Sequence, residues 1–97
     1  MSHLVEFVRV RVHDGQEAEF LAARPAAVEA VRRRIAGFVD APLIVKVAEN
    51  EWIDVWIYET EEEAAKANES AADIPEFMAM ANVSDVVSVE TGHQAPA

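Results

Sequence analysis

The 97-residue chain contains no cysteine, so disulfide bonds and thiolate chemistry are excluded, and a reducing compartment is compatible with the sequence. It has only three glycines, and they form no glycine-rich phosphate loop, so nucleotide binding by the usual loops has no support. No apolar run approaches the roughly 20 residues of a membrane span. The alternating start lacks the basic region and continuous apolar core of a signal peptide. We therefore expect a cytoplasmic protein without a membrane partner.

Basic residues are scarce in the second half of the chain. Residues 49–97 hold one basic side chain, Lys66, against twelve acidic ones, whereas residues 1–48 hold seven basic and six acidic. Such an acidic half cannot follow a phosphate backbone, so we expect no nucleic-acid partner. No metal site is expected either, because no histidine has a second ligand at metal-binding spacing on its own element. The three histidines are His3, His13 and His93.

The first half of the chain shows a strand followed by a helix. Residues 4–12 alternate with a period of two and contain several valines, which predicts a strand. An apolar stripe predicts a helix over 16–36, in which Pro25 should cause a kink or a break. Asp14 is expected to cap the start of this helix, and Gly37 is expected to stop it.

The second half repeats the pattern with an additional hairpin. Residues 38–47 predict a strand that is interrupted at Ala41-Pro42, and residues 52–59 predict its hairpin partner. Thr60 has the position of an N-cap before an acidic, alanine-rich helix. A further turn after this helix and a final strand over 83–91 complete the series.

The predicted order is therefore β-α-β-β-α-β. Right-handed crossovers convert this order into a four-stranded antiparallel sheet with both helices on one face, which is a ferredoxin-like α+β fold. We expect one domain over residues 1–92 and a flexible tail over 93–97.

Apolar residues occur on both faces of the predicted sheet. Ile53, Val55 and Ile57 point away from the aromatic side of the third strand, and Val5 and Phe7 do the same on the first. Two helices cover one face only, and the other would expose more contiguous apolar surface than the few hundred Å² that is normal for a monomer. We therefore expect a homodimer that pairs sheet to sheet into a dimeric α/β barrel.

One face of the third strand carries a stripe of aromatic side chains around a carboxylate. The stripe consists of Trp52, Asp54, Trp56 and Tyr58. It favours either an aromatic-lined pocket, in which Asp54 acts as a general base, or packing in the dimer interface, in which Asp54 pairs with Arg9 or Arg11. Asn68 on the second predicted helix points either into the space above the sheet or to solvent.

The chain also resembles the antibiotic biosynthesis monooxygenase-like family of dimeric α/β barrels, from about Val5 to Glu90. The resemblance rests on the strand-Asp-Gly-helix opening over 8–16, the Ala-Gly-Phe helix stop over 36–38, and the segment DVWIYET over 54–60. In the cofactor-free oxygenases of this family, a polar residue and an aromatic four positions later line a pocket, and Asp54 and Tyr58 match those positions.

The resemblance implies a cofactor-independent monooxygenase that binds or acts on a small hydrophobic aromatic molecule. Asp54 would be its base, and a charge from Arg9 or Arg11 would orient the ligand. The other binding residues would be Trp52, Trp56, Tyr58 and Asn68. Heme degradation is not expected, because residues 60–91 lack the histidine and the tryptophan of that branch. The oxygenases' tyrosine and arginine on and after the second helix also have no counterpart, so a non-catalytic small-molecule-binding or structural homodimer remains the alternative.

Overall fold

A computed structural model describes residues 2–96 of the chain. Its four strands are β1 (Leu4–Val12), β2 (Phe38–Ala48), β3 (Glu51–Tyr58) and β4 (Ser84–His93). Its α-helices are α1 (Glu17–Arg34), α2 (Glu61–Ser70) and α3 (Pro75–Ala81), with a 3₁₀ turn (Ala71–Asp73) between the last two. The predicted β-α-β-β-α-β order is confirmed, and β4 extends to His93, two residues beyond the expected end. No helix in the described part is long and apolar enough to cross a membrane.

The strands form one antiparallel sheet in the order β2-β3-β1-β4, which is the ferredoxin-like arrangement. The register between β2 and β3 shifts between Asp40 and Leu43, where the interruption at Ala41-Pro42 was expected. A second shift, between Arg9 and Val10 of β1, leaves Val87 of β4 without a paired residue. Irregularities of this kind interrupt the regular pairing of the outer strands β2 and β4.

The helices lie on one face of the sheet and enclose the core. Alternation in β1 places Leu4, Val10 and Val12 in this core, and helix α1 contributes side chains that include Phe20 and Val31. The opposite face, called the open face here, carries exposed apolar side chains. They are Phe7, Leu43, Val45 and Val47.

Helix α1 differs from its prediction at both ends, and the break considered at Pro25 does not occur. Its N-cap residue is Gln16, and Asp14 instead accepts a hydrogen bond from Asn50 Nδ2 at 2.8 Å, so the expected Asp14 cap is wrong. The helix runs unbroken through Pro25. It ends at Arg34, two residues before the predicted end, so Gly37 does not terminate it directly. The Thr60 cap of α2 is confirmed, because its hydroxyl accepts a hydrogen bond from Glu63 N at 3.2 Å.

Gly37 is required because helix α2 approaches it closely. A Cβ atom at this position would overlap Cβ and Cγ of Glu63, the third residue of α2. The backbone carbonyl of Gly37 also accepts a hydrogen bond from Glu59 N at 2.7 Å, which holds the chain at this short separation. The missing side chain therefore allows α2 to pack against the start of β2.

A Gly37→Ala substitution should consequently lower the free energy of unfolding by about 1–3 kcal/mol, the usual cost of overpacking. Urea denaturation measures the effect, and Gly92→Ala is the matched control because no atom lies within 4 Å of its added Cβ. In a protein that already carries Glu63→Gly, the Gly37→Ala substitution should lower the free energy of unfolding by at least about 1 kcal/mol less, because the overlapping atoms of Glu63 are absent. Equal costs at Gly37 and Gly92 would contradict this account.

Candidate functional site

A cavity of about 370 Å³ lies between the helical face of the sheet and the segment from α2 to α3. Its wall is mostly apolar. The lining residues are Glu6, Val8, Val10, Phe20, Asp54, Trp56, Tyr58, Asn68, Phe77, Met80, Ala81, Ser84, Val86 and Val89. The last two are more than half exposed, which places the opening of the cavity along β4. This volume is in the range of ligand pockets, so the space can hold a small molecule.

Asp54 lies in the wall of this cavity and is 2% exposed. Arg24 of helix α1 donates from Nε at 3.0 Å and from Nη2 at 2.7 Å, and both bonds go to Asp54 Oδ1. The same guanidinium donates to the carbonyl oxygens of Ala41 and Leu43 at 3.1 and 3.3 Å. Arg24 therefore ties α1 to β2 and β3, while Oδ2 of Asp54 takes no bond from it.

Burial raises the pKa of the Asp54 carboxyl, and the hydrogen bonds and charge of Arg24, together with a hydrogen bond from Trp56, act in the opposite direction. A buried carboxylate with a raised pKa is a stronger base than one in solution. Arg24 binds only Oδ1, so the carboxylate keeps lone pairs through which Asp54 can accept a proton from a bound molecule.

Glu6 is a second carboxylate in the cavity wall, and it is 7% exposed. It lies on β1 opposite Trp56, two pairs along from the Val8–Asp54 pair and therefore on the same face of the sheet. Asn68 Nδ2 donates to Glu6 Oε2 at 3.1 Å. Burial raises the pKa of the Glu6 carboxyl, and the Asn68 hydrogen bond offsets part of that rise.

Tyr58 completes the polar part of the cavity wall. Burial raises the pKa of its phenol, and the negative charges of Glu6 and Asp54 raise it further. The hydroxyl therefore stays protonated at any physiological pH and is available as a hydrogen-bond donor. The Tyr58 ring packs edge-on against Phe38, with 5.7 Å between the ring centroids.

Trp56, which lines the cavity, packs against two other aromatic rings. Its ring lies 5.8 Å from Phe38 and 6.0 Å from Phe77, in tilted and edge-to-face arrangements. The Arg24 guanidinium lies 5.9 Å from the Trp56 ring centroid, within the range of a cation–π contact. These contacts fix the indole, so the wall offers a flat apolar surface that is already in place.

The structure brings four of the sequence-predicted site residues to this cavity and leaves three outside it. Asp54, Trp56, Tyr58 and Asn68 line it. Trp52 shares their strand face but lies farther along β3, where its indole donates to Glu17 at 2.8 Å and stacks with Lys46.

Arg9 and Arg11 lie on the open face, where both pair with Glu51 at 3.1 and 2.8 Å. The expected pairing of Asp54 with one of these arginines is wrong, because β1 points them to the opposite side of the sheet. The partner of Asp54 is Arg24. Neither arginine is placed to orient a ligand inside the cavity of its own chain.

Sequence reasoning did not assign a role to Glu6 or Arg24, although both are central to the site. The signal for Glu6 was present, because it interrupts the apolar side of an otherwise regular alternation in β1. The signal for Arg24 was weak, since an arginine in a surface helix is usually solvated. In the described residues, no group of three or more histidine, aspartate or glutamate side chains is arranged to hold a metal ion.

Several solved structures share this fold. The cofactor-independent oxygenase SnoaB from Streptomyces nogalater is 17% identical, with a TM-score of 0.70 over 100% of this chain and 95% of that one. A candidate antibiotic biosynthesis monooxygenase from Bordetella bronchiseptica is 18% identical, with a TM-score of 0.75 over 100% and 99% of the two chains. One from Caulobacter crescentus is 11% identical, with a TM-score of 0.74 over 98% and 92%.

No protein-family model matches the sequence, and no curated protein matches it either. The structural likeness extends over the whole length of both partners and confirms the expected fold. The chain therefore has the fold of the antibiotic biosynthesis monooxygenase-like proteins. At these identities the likeness concerns the fold, and the chemistry has to be argued from the cavity.

Proposed function

We propose that the protein binds a small hydrophobic aromatic molecule in the cavity and oxidises it with dioxygen as a cofactor-independent monooxygenase. The observation that carries the proposal is the apolar cavity of about 370 Å³ with a buried carboxylate, Asp54, in its wall. A solid interior at this place would have favoured a purely structural role for the aromatic stripe. The cytoplasmic location expected from the sequence is part of the same proposal.

The proposed chemistry begins with proton transfer. Asp54 takes a proton from an activated methylene group of the ligand, and the ring system delocalises the resulting carbanion. The carbanion gives its electron pair to dioxygen and forms a C–O bond, and protonation yields a hydroperoxide. Loss of water, with the second methylene hydrogen leaving as a proton, gives a carbonyl group. Dioxygen is the oxidant, and Tyr58 donates a hydrogen bond to the oxygen that develops charge.

The alternative function is binding without turnover. It is favoured by Arg24, which donates two hydrogen bonds to Asp54 and two to backbone carbonyls of β2, so that these contacts would stabilise the fold in the absence of any reaction. In that case the cavity still takes an aromatic ligand, and Asp54 holds the wall in place.

Anthrone is a suitable probe, because its methylene group is acidified by the adjacent rings and its flat body suits the cavity. We expect it to raise the melting temperature of the wild-type protein and to be consumed with uptake of dioxygen. Ala81→Phe, which places a ring in the cavity wall, should weaken binding at least about tenfold. Ala79→Phe is the matched control, because this neighbouring residue of α3 is exposed.

Asp54→Asn separates the two functions, because the amide keeps the size of the carboxylate and a hydrogen-bond acceptor for Arg24. The oxygenase is supported if the wild-type protein binds anthrone and consumes dioxygen, and if Asp54→Asn no longer consumes dioxygen. Binding without uptake supports the alternative, and absence of binding to the wild-type protein contradicts both.

We also propose that a second copy of the chain covers the open face. Phe7, Leu43 and Val45 are each more than 40% exposed there, and they lie on strands whose other face is covered by helices. Arg9, Arg11 and Glu51 add charges of both signs to the same face. Because a two-fold axis brings one patch against its own copy, opposite charges can meet across it. The proposed assembly is the sheet-to-sheet homodimer.

A further inference from the structure

We propose that the aromatic ligand of the cavity carries a protonated amine and that Glu6 binds this amine. The inference rests on the proposed aromatic-binding function and adds the chemical class of the ligand. It follows from an imbalance of charge in the cavity wall.

Glu6 has no cation beside it in the described part of the chain. The hydrogen-bond donor that reaches its carboxylate is the neutral amide of Asn68, and this bond occupies Oε2. Asp54, the other carboxylate of the cavity, has a guanidinium at 2.7 Å. Glu6 is as deeply enclosed as many core residues, yet Oε1 is left to interact with whatever fills the cavity.

The charged groups around the cavity therefore do not balance. Tyr58 is neutral, and Arg24 is committed to Asp54, so an ionised Glu6 leaves one negative charge among apolar side chains. An unpaired charge in such surroundings is costly, and a ligand that brings a cation removes the cost. A neutral hydroxyl supplies one hydrogen bond without the charge, and a carboxylate ligand adds a second negative charge.

The rest of the wall also suits an arylalkyl ammonium ion. Phe20, Trp56 and Phe77 present aromatic surface that can contact both the ligand ring and the ammonium group. The opening along Val86 and Val89 is apolar, so the ring of the ligand can occupy it while the amine reaches Glu6.

Three naphthalene derivatives test the inference, because they share one ring system and differ in the polar group. They are 2-naphthylmethylamine, 2-naphthalenemethanol and 2-naphthoate. Quenching of tryptophan fluorescence and isothermal titration calorimetry give the dissociation constants. At pH 7 we expect the amine to bind about 10- to 100-fold more tightly than the alcohol, the scale of a hydrogen bond to a charged partner. The carboxylate should bind more weakly than the alcohol.

Glu6→Gln should remove most of the preference for the amine. The affinity for the amine should then exceed the affinity for the alcohol by less than about threefold. The glutamine retains the size of the side chain and an oxygen for Asn68, so the cavity should keep its shape. Glu90→Gln is the matched control, because this exposed residue pairs with Phe7 on the opposite side of the sheet and should leave the ratio unchanged.

The pH dependence gives an independent measurement. The groups that face Glu6 are Tyr58 and Asp54 of β3 and Asn68 of α2, while Arg24 of α1 is held by Asp54. Because the amine requires the ionised carboxylate, its affinity should increase as the pH rises through the elevated pKa of Glu6, and Glu6→Gln should show no such increase.

The outcomes separate this inference from the function on which it rests. If all three naphthalenes bind with similar affinity, or if the alcohol binds best, the amine inference is wrong and the aromatic pocket stands. If none of the three naphthalenes binds and anthrone does not bind either, the proposed aromatic-binding function is wrong.

Discussion

Replacing Asp54 with alanine is expected to lower the free energy of unfolding by about 3–5 kcal/mol, because the Arg24 guanidinium then remains buried without its counter-charge. The side chains of Arg24 and Asp54 are only 14% and 3% exposed, so the guanidinium would remain largely out of contact with bulk solvent. Arg24 bonds directly to β2 and β3, so its loss of a partner also loosens the packing of α1 on the sheet. Equilibrium denaturation in urea at pH 7 measures the change.

The pair can be analysed by a double-mutant cycle. Arg24→Met should cost a similar amount, since it leaves the Asp54 carboxylate buried, and Arg24→Met with Asp54→Leu should recover a large part of the loss. Arg9→Ala is the control, because it removes an ion pair whose arginine is 38% exposed, and such a pair contributes about 0–1 kcal/mol.

A loss below about 1 kcal/mol for Asp54→Ala would show that the pair is not essential to the fold. The carboxylate would then be present for another reason, and the oxygenase proposal would gain weight. Conversely, additive costs of the two single substitutions would show that Arg24 and Asp54 do not act as a pair in the folded protein.

Introducing a charge on the open face is expected to weaken self-association about 100-fold or more. Leu43→Lys puts an ammonium group on the apolar surface that the edge strand β2 contributes to the open face, and burying it without a partner costs several kcal/mol. Leu43 is 51% exposed in the single chain, so the folded monomer should tolerate the lysine. Sedimentation equilibrium of wild-type and variant proteins over a range of concentrations measures the dissociation constant.

Leu21→Lys is the control for this experiment, because Leu21 is 37% exposed on helix α1, away from the open face. It should leave the assembly unchanged. A wild-type protein that sediments as a single 10.7 kDa species at micromolar concentration would contradict the dimer, and the apolar open face would then require a different partner.

Local patterns in the sequence were enough for most of the fold. The alternation of β1 and β3 assigned each side chain to the correct face, so that Trp56 and Tyr58 were expected beside Asp54 and are found there. Thr60 was identified as an N-cap from its position before an acidic, alanine-rich helix, and its hydroxyl accepts the expected kind of hydrogen bond from Glu63 N. These features depend on the neighbours of a residue along one strand or one helical turn, and the sequence displays those neighbours directly.

The helix ends were less predictable. Asp14 was expected to cap α1, but its carboxylate binds Asn50 in the β2–β3 turn, 36 residues away. Gly37 was expected to stop the same helix, but it is needed for the approach of Glu63. The neighbouring sequence of each residue favours a local role at the end of the helix. In the folded protein, a contact with a residue that is distant in the sequence takes the place of that local role.

The sequence by itself determined that this chain folds as a βαββαβ layer with an aromatic face around Asp54, because that information is contained in local periodicity. Only the tertiary structure decided which cation neutralises Asp54 and which carboxylate is left without one. Arg24 and Asp54 are 30 residues apart, and Glu6 and Asn68 are 62 apart. Such pairs depend on the crossing of helices over the sheet and on strand register, which no short segment encodes.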